Sequence, residues 1–135
     1  MPQKQILQKN PLRQKATLAK LLHKKANRSE GDLMRACHQY LQLAENTGQI
    51  VHYDRLNSGN IIMGRRTVHL CRPGTPDLVA ITTRGNTIWM EVKGPNGKMS
   101  AAQKAFKKKI ERIPHHSHHV IVALQQMIDI ITIIT

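Results

Sequence analysis

Two acidic residues and a nearby lysine have the side chains and the spacing to form one reactive site. Asp77 lies seven residues before Arg84, and Glu91 lies seven residues after it. The stretches on either side of Arg84 are rich in apolar and β-branched residues, so the pattern predicts two strands, Leu78–Thr82 and Thr87–Val92, joined by a glycine-containing turn. In such a hairpin the two carboxylates lie opposite each other to within a residue or two.

Lys93 is the third member of this group. Because side chains alternate along a strand, Glu91 and Lys93 point to the same face of the predicted hairpin. Two carboxylates suit Mg²⁺, which keeps several waters and also binds phosphate oxygens. An ammonium group beside them can hold an attacking water or neutralise charge in a transition state. In the open alternative, Asp77 only begins a strand, and Glu91 and Lys93 form a solvated pair.

Several ordered blocks around these residues are similar to a known family. In chain order the blocks are Ser29–Glu30 ahead of an amphipathic segment, Arg55–Gly59 (RLNSG), Gly74–Leu78 (GTPDL), Glu91–Pro95 (EVKGP) and Ser100–Lys104 (SAAQK). They resemble the PD-(D/E)xK nuclease superfamily and, within it, the virus-type replication–repair nuclease (VRR-NUC) family. The resemblance covers about residues 29 to 124.

The resemblance implies an α/β, restriction-endonuclease-like PD-(D/E)xK core of order αβββαβ, in which a mixed central sheet is flanked by helices. The chain itself predicts elements of this kind from caps, periodicity and turn residues. Besides the hairpin, they are helices after Ser29 and after Ser100, strands at Ile50–Arg55, Arg65–Cys71 and Val120–Leu124, a loop at Asn57–Asn60 and a terminal helix at Gln125–Thr135.

The two predicted internal helices each carry an apolar stripe and an N-terminal cap. Ser29 and Asp32 fit a capping box for the first helix, and Ser100 and Gln103 fit one for the second. The stripe of the first helix is Leu33, Met34, Cys37, Tyr40, Leu41 and Ala44, and that of the second is Ala101, Ala105, Phe106 and Ile110. The terminal helix has an exposed apolar side, which is a candidate homodimer interface.

Glu30 and Gln103 each have two readings. An acid at the start of a helix is favoured by the helix dipole, whereas the resemblance places Glu30 near the metal. Gln103 completes a capping box, whereas the resemblance directs its side chain to the catalytic centre. One amide is not expected to serve both geometries fully, so the two roles of Gln103 are predicted to be partly exclusive.

The charge of the chain favours a polyanionic partner. Its formal charge is +13, and residues 1–28 hold eight basic side chains and no acidic one. We therefore predict a basic N-terminal extension at 1–28, either solvated or ordered, followed by the nuclease-like domain at 29–135. There is no apolar run of about 18 residues to span a membrane. Cys37 and Cys71 have no metal-binding spacing, and a cytoplasmic protein is expected.

The histidine run His115–His119 does not by itself predict a metal site. A transition metal requires ligands held at fixed geometry by partnered side chains, and we expect this run to be flexible. Adventitious binding of Ni²⁺ or Zn²⁺ is the favoured interpretation.

The resemblance implies a Mg²⁺- or Mn²⁺-dependent DNA endonuclease that hydrolyses phosphodiester bonds. The candidate catalytic residues are Glu30, Asp77, Glu91, Lys93 and Gln103. The candidate metal ligands are Asp77, Glu91, the main-chain carbonyl of Val92 and, as a further candidate, Glu30. The candidate DNA-binding residues are Arg55, Arg65, Arg66, Arg72, Lys98, Lys104, Lys107 and Lys108.

Stand-alone members of the resembled family imply a homodimer or higher homo-oligomer that cuts branched DNA such as four-way junctions, in a bacterium or a phage-infected cell. Two alternatives stay open. One is a nuclease of the same fold that is directed by sequence or by DNA ends, and the other is a basic nucleic-acid-binding protein without catalysis. An RNA substrate also stays open, because the sequence identifies no reader of the 2′-hydroxyl.

Overall fold

The computed structural model describes residues 29–56 and 60–135, which form three helices and six strands. In chain order they are α1 (Glu30–Asn46), β1 (Ile50–Arg55), β2 (Asn60–Met63), β3 (Arg66–His69), β4 (Leu78–Thr82), β5 (Thr87–Val92), α2 (Ala101–Ile110), β6 (His116–Ile121) and α3 (Leu124–Ile134). The predicted extension at 1–28 and most of the predicted loop, residues 57–59, lie outside the described residues.

The main sheet has the strand order β1-β4-β5-β6. Strand β4 runs antiparallel to both β1 and β5, whereas β6 runs parallel to β5. The parallel pair is joined by a crossover that contains α2, as parallel neighbours require. Leaving aside β2 and β3, the chain follows the order αβββαβ and then adds α3, so the predicted fold class is confirmed.

The β4–β5 hairpin has the predicted strand bounds and turn. Gly85 has a φ of +84°, which an L side chain rarely adopts, and its N–H donates to the carbonyl of Thr82 over 3.1 Å. In the resulting register Leu78 lies opposite Met90. The next position outward on each strand therefore places Asp77 opposite Glu91.

Helix α1 packs its predicted apolar stripe against the sheet, and every member of that stripe is buried. Ser29 Oγ accepts a hydrogen bond from the Asp32 N–H over 3.1 Å, which is one half of the predicted capping box. The Asp32 carboxylate pairs with Arg35. Cys37 is buried, and Cys71 is half-buried.

The predicted terminal helix is confirmed as α3. Met127 and Ile131 on this helix are fully buried in the core that α1 also contacts. In the described part of the chain, no helix combines the length and the apolar character needed to cross a bilayer.

The predicted stripe of α2 is wrong in two of its four members. Ala101 and Ala105 are exposed, whereas Phe106 is half-buried and Ile110 is buried. Gln103 is also half-buried. The helix is rotated relative to the predicted stripe, because a polar side chain, Gln103, takes part in the contact with the sheet.

The predicted strand at Val120–Leu124 is also wrong in its bounds. The strand β6 begins at His116 and ends at Ile121, and Leu124 already opens α3. The segment that we expected to be a flexible histidine run is thus most of a strand. Its register beside β5 pairs His118 with Trp89, and the ring of His118 is buried.

The predicted strand at Arg65–Cys71 is replaced by a two-stranded ribbon, β2–β3. Strand β3 spans only Arg66–His69, and Asn60, predicted to lie in a loop, begins the unpredicted strand β2. Gly64, with a φ of +63°, and Arg65 form the turn between them. A two-residue turn that begins with glycine is a common hairpin connection, which explains why the pairing forms here.

Candidate active site

Asp77 is held at the end of the β4–β5 hairpin by hydrogen bonds from two other parts of the chain. Its side-chain Oδ2 accepts a hydrogen bond of 2.8 Å from the N–H of Val92, the residue after Glu91. Its main-chain carbonyl accepts one of 2.7 Å from Leu56, directly after β1. The carboxylate is half-buried and leans across the hairpin toward Glu91. The predicted juxtaposition of the two acids is present.

Glu91 is a buried carboxylate with one oxygen that has no partner. The residue is 1% exposed, and Oε1 accepts a hydrogen bond of 2.8 Å from Gln103 Nε2. No hydrogen-bond partner for Oε2 is found among the described residues. A buried polar atom without a partner is costly, so this oxygen needs either a proton or a cation.

The surroundings of Glu91 disfavour its negative charge. Burial is the main cause that raises the pKa of this carboxyl to about 8. The charge of Asp77 adds to the rise, as does a hydrogen bond that the two carboxyl groups form only when they share a proton. Lys93 and Gln103 oppose the rise in pKa without cancelling it. Two carboxylates therefore share a site in which both are stable as anions only if additional positive charge is supplied.

Gln103 serves both of the roles that we expected to be partly exclusive, so that expectation is wrong. Its Oε1 accepts a hydrogen bond of 2.8 Å from the N–H of Ser100, and its own N–H donates to Ser100 Oγ over 3.1 Å, which completes the capping box. Its Nε2 donates to Glu91. The amide divides its acceptor and its donor between the helix cap and the buried acid.

Gly74 fixes the distance between the Asp77 segment and α2. Its φ is +91°, and a Cβ built on it would lie 2.4 Å from the carbonyl oxygen of Ala102. Only glycine allows this approach of two backbones. Since Ala102 precedes Gln103, the contact also fixes the position from which Gln103 reaches Glu91.

Trp89 supports α2 from the sheet, a role that was not predicted. It lies two residues before Glu91, on the same face of β5, and its ring packs edge-on to Phe106 with centroids 5.2 Å apart. Its Nε1 donates to His116 Nδ1 over 3.1 Å. The alternation along β5 was a usable signal, because it places Trp89 and Glu91 on one face.

Lys93 and Glu30 lie on either side of the glycine-containing loop that follows β5. Lys93 is half-buried, and Gly97 lies so close that an added Cβ would be 3.1 Å from the Cβ of Lys93. Glu30 is exposed at the start of α1. Its Cβ lies 3.6 Å from the position that a Cβ on Gly94 would occupy. The backbone thus brings Glu30 beside the residue that follows Lys93, while its carboxylate forms no ion pair with any described residue.

The candidate DNA-binding side chains lie on four parts of the chain. Arg55 ends β1, Arg65 and Arg66 lie at the tip of the ribbon, and Arg72 follows it. Lys98 precedes α2, which carries Lys104, Lys107 and Lys108. All are exposed except Lys107, which is half-buried and lies 3.8 Å from Glu111.

The donor set at Asp77 and Glu91 fits a hard divalent cation. Over residues 29–56 and 60–135, no three His, Cys, Asp or Glu side chains are close enough to hold an ion together. This excludes an all-side-chain cage there, but Mg²⁺ commonly uses one or two carboxylates with waters and substrate oxygens. The buried Oε2 of Glu91 and the raised pKa of this group fit such an ion.

The fold and this constellation fit a nuclease of the PD-(D/E)xK type. Asp77 at the start of one strand, Glu91 and Lys93 on the next, and the crossover helix with Gln103 occupy one end of the mixed sheet. The VRR-NUC domain model matches residues 13–124, and the chain belongs to this family. The match begins within the segment predicted as a basic extension. No curated protein and no solved structure shows significant similarity to the chain.

Proposed function

We propose that this protein is a Mg²⁺- or Mn²⁺-dependent DNA endonuclease that prefers branched DNA. The observation that carries the proposal is the pair formed by half-buried Asp77 and buried Glu91, in which one oxygen of Glu91 has no partner and Lys93 lies nearby. A structural ion pair would neutralise these charges internally. Here the charges are left to an external cation and, through it, to an anionic substrate.

Each residue of the site has a role that follows from its position. Asp77 and Glu91 would hold the cation together with the main-chain carbonyl of Val92. Glu30 was the further candidate ligand, but in the described structure its carboxylate does not form a three-side-chain group with these two acids. Gln103 fixes the Glu91 carboxylate through a 2.8 Å hydrogen bond, so that Oε2 remains available. Lys93 would position the attacking water and neutralise charge that develops on the phosphate.

The bound cation would supply positive charge against the phosphodiester oxygens and favour ionisation of a nearby water. The chain contributes the buried setting, in which such charges interact more strongly than in water. It also contributes an anchored geometry, because backbone and side-chain hydrogen bonds hold Asp77 and Glu91 before substrate binds. Attack in line with the leaving sugar oxygen would then cleave the backbone.

The preference for branched DNA and a homodimeric state are the finer parts of the proposal. The excess of positive charge supports binding to nucleic acid without specifying its shape. The resemblance to stand-alone VRR-NUC nucleases supports junction cleavage. The apolar exposed side of α3, which includes Ile133, is a candidate surface for dimer formation.

The test is cleavage of a labelled four-way junction, a flap and a linear duplex of shared sequence in Mg²⁺, Mn²⁺ or EDTA. Asp77→Ala and Lys93→Ala are assayed beside the wild type. Asp129→Ala and Arg84→Ala are matched controls, since these substitutions remove exposed charges of the same sign away from the site.

We expect metal-dependent, paired cuts in the junction that both site variants lose and both controls keep. If every DNA is cut alike, the protein is a nuclease without branch preference. If the protein binds DNA but cuts none with either metal, the enzymatic proposal fails and a DNA-binding protein remains.

A further inference from the structure

The β2–β3 ribbon presents apolar side chains to solvent in an unusual concentration. Ile62 is 79% exposed and Met63 is 62% exposed, and Ile61 and Val68 are exposed as well. The register pairs Ile61 with Val68 and Ile62 with Thr67, so apolar side chains occur on both faces. An isolated two-stranded hairpin is only marginally stable in water, so the ribbon would gain stability from a partner.

The chain leaves the candidate active site to enter the ribbon and returns to it afterwards. The chain enters the ribbon after β1, whose last residue, Arg55, pairs with Leu78, and the Leu56 N–H donates to the carbonyl of Asp77. The chain then returns from the ribbon to Gly74 and Asp77. A partner that contacts the ribbon is therefore brought close to the residues that would hold the cation.

The charge on this segment indicates what the partner is. From Arg55 to Pro76 the chain has four arginines and no acidic residue. Arg65 and Arg66 lie at the turn end of the ribbon, next to Met63. Arginine binds phosphate oxygens through a planar fork, so this tip suits an anionic backbone.

A second copy of the chain is the competing partner, and the same charges oppose it. In a symmetric pairing of two ribbons, two segments that each carry four arginines and no acidic residue would face one another. Like charges would then lie close together at an apolar contact, which is unfavourable. A nucleic acid offers both of the surfaces that the ribbon matches, namely phosphates for the arginines and base faces for the aliphatic side chains.

We propose that the ribbon is a DNA-binding arm that places Arg65 and Arg66 on backbone phosphates and inserts at a branch point beside the scissile phosphate, where Ile62 on one face and Met63 on the other pack against unstacked bases. A two-stranded β-ribbon fits a DNA groove, and aliphatic side chains are known to act as wedges between base steps. At a branch point the bases are already partly unstacked, so the wedge avoids a cost that it must meet in continuous duplex.

This inference rests on the proposed function, and it deepens it by assigning branch preference to particular residues. The arginines contribute to all DNA alike, because they contact the backbone. The aliphatic pair contributes only where bases are open. The two halves of the ribbon are thus separable by substitution.

The experiment compares Ile62→Thr/Met63→Thr with wild type in the full chain, and Val51→Thr is the matched control. Val51 is 58% exposed on a strand and lies outside the ribbon. Threonine keeps strand propensity while it adds a hydroxyl. Affinity is measured by anisotropy in EDTA for a four-way junction and a linear duplex of shared sequence. Cleavage is then measured in Mg²⁺ for both.

We expect the double variant to lower the junction-to-duplex affinity ratio by about tenfold, as the loss of two buried aliphatic contacts suggests. Arg65→Gln/Arg66→Gln should weaken both DNAs and reduce the slope of log affinity against log salt by about 1–2. Val51→Thr should leave the ratio unchanged. An unchanged ratio in the double variant would overturn the proposal, as would a loss of dimer with no change in affinity.

A base-level readout separates a wedge from a general structural effect. 2-Aminopurine placed at the branch step fluoresces more strongly when unstacked, and wild type should raise its signal more than the double variant does. Equal signals would contradict the wedge. Because affinity and fluorescence need no cleavage, they test the ribbon even if the wild type cuts no DNA, in which case the proposed catalysis alone fails.

Discussion

The β4–β5 hairpin and the β2–β3 ribbon are both antiparallel strand pairs closed by a glycine-containing turn, yet their surroundings are opposite. The hairpin has neighbours on both sides in the main sheet, and its core-facing residues are fully buried. The ribbon strands pair with each other and with no strand of the main sheet in the described chain, and Ile62 and Met63 face solvent. One pair is rigidly supported and the other is open to a partner.

The difference suggests a division of labour. Reactive groups must be held to within a fraction of an ångström, and supported strands provide that precision. Substrate selection needs side chains that are exposed before DNA arrives. The unpartnered Oε2 of Glu91 is buried within the supported hairpin, whereas Arg65 and Arg66 are exposed to solvent on the ribbon. The following predictions test this contrast.

The largest effect is expected for Glu91→Gln, which keeps the shape of the side chain and removes its charge. Cleavage should fall by about 10³-fold or more, because in the proposed mechanism both cation binding and charge stabilisation depend on this carboxylate. Glu45→Gln, on α1 and away from the site, is the control and should keep full activity. Initial rates on a labelled junction measure the effect, and near-normal activity of Glu91→Gln would remove Glu91 from the mechanism.

Two glycines with similar backbone conformations provide the next comparison. Gly74 and Gly64 have φ of +91° and +63°, but only Gly74 lies against a backbone oxygen, whereas a Cβ on Gly64 would have nothing within 4 Å. Gly64→Ala should cost about 1 kcal/mol of unfolding free energy from conformation alone. Gly74→Ala should cost about 3 kcal/mol or more, because α2 must also move.

Denaturant unfolding of both variants gives the two free energies. Gly74→Ala should also reduce cleavage, since moving α2 displaces Gln103 from Glu91. Equal costs for the two alanines would mean that the close approach to Ala102 is easily relieved, and that α2 is not positioned by this contact.

The hairpin and its acids could be predicted because their signals are local. The turn at Arg84–Asn86 sets the register, and equal spacing from it puts Asp77 opposite Glu91. The caps at Ser29 and Ser100 marked two helix starts correctly for the same reason. Each of these inferences depends on residues only a few positions apart.

The features that were missed depend on contacts distant in sequence. The histidines of β6 show no strand-like apolar alternation. Their extended conformation depends instead on pairing with β5 and on packing against α2. Because Gln103 faces the sheet, α2 is rotated so that Ala101 and Ala105 are exposed instead of buried. Its double role was predictable in principle, because a cap uses only the amide oxygen and leaves the nitrogen free to donate. The first strand and the turn of the ribbon could have been predicted from the aliphatic run before Gly64 and from Gly64 itself.

The pH dependence of stability should reveal the buried acid. In the cation-free folded protein, burial raises the pKa of Glu91 to about 8 from an ordinary 4.5, so the folded state keeps a proton that the unfolded chain releases between these values. The stabilising effect of this proton is complete below pH 4.5 and is lost as pH rises through 8. Glu91→Gln removes the dependence and should be more stable than wild type at pH 8.5 by about 1–3 kcal/mol.

The measurement is the difference in unfolding free energy between the two proteins in EDTA at pH 5 and pH 8.5. Taking the difference cancels the contributions of His118 and His119, whose pKa values are lowered, chiefly by burial. A difference that does not grow with pH would show that Glu91 ionises freely in the folded protein. Adding Mg²⁺ should reduce the difference at pH 8.5.

The smallest effects separate the two functions of Gln103. Gln103→Glu keeps an oxygen for the Ser100 N–H but replaces the donor to Glu91 with a third carboxylate, so cleavage should fall by about 10–100-fold with little loss of helix capping. Gln126 is the matched control, because its Oε1 accepts hydrogen bonds from the N–H groups of Val122 and Ala123 at the start of α3. Gln126→Ala should cost about 1 kcal/mol in stability and leave cleavage unchanged.

Rates and unfolding free energies for these two variants and for Gln103→Ala complete the comparison. Gln103→Ala should show both effects. Its unfolding free energy should fall about as much as that of Gln126→Ala, and its cleavage rate should fall as well, whereas that of Gln126→Ala should not. If Gln103→Glu cleaves normally, the hydrogen bond to Glu91 serves only the fold. The supported hairpin would then owe its reactivity to Asp77, Glu91 and Lys93 alone, without α2.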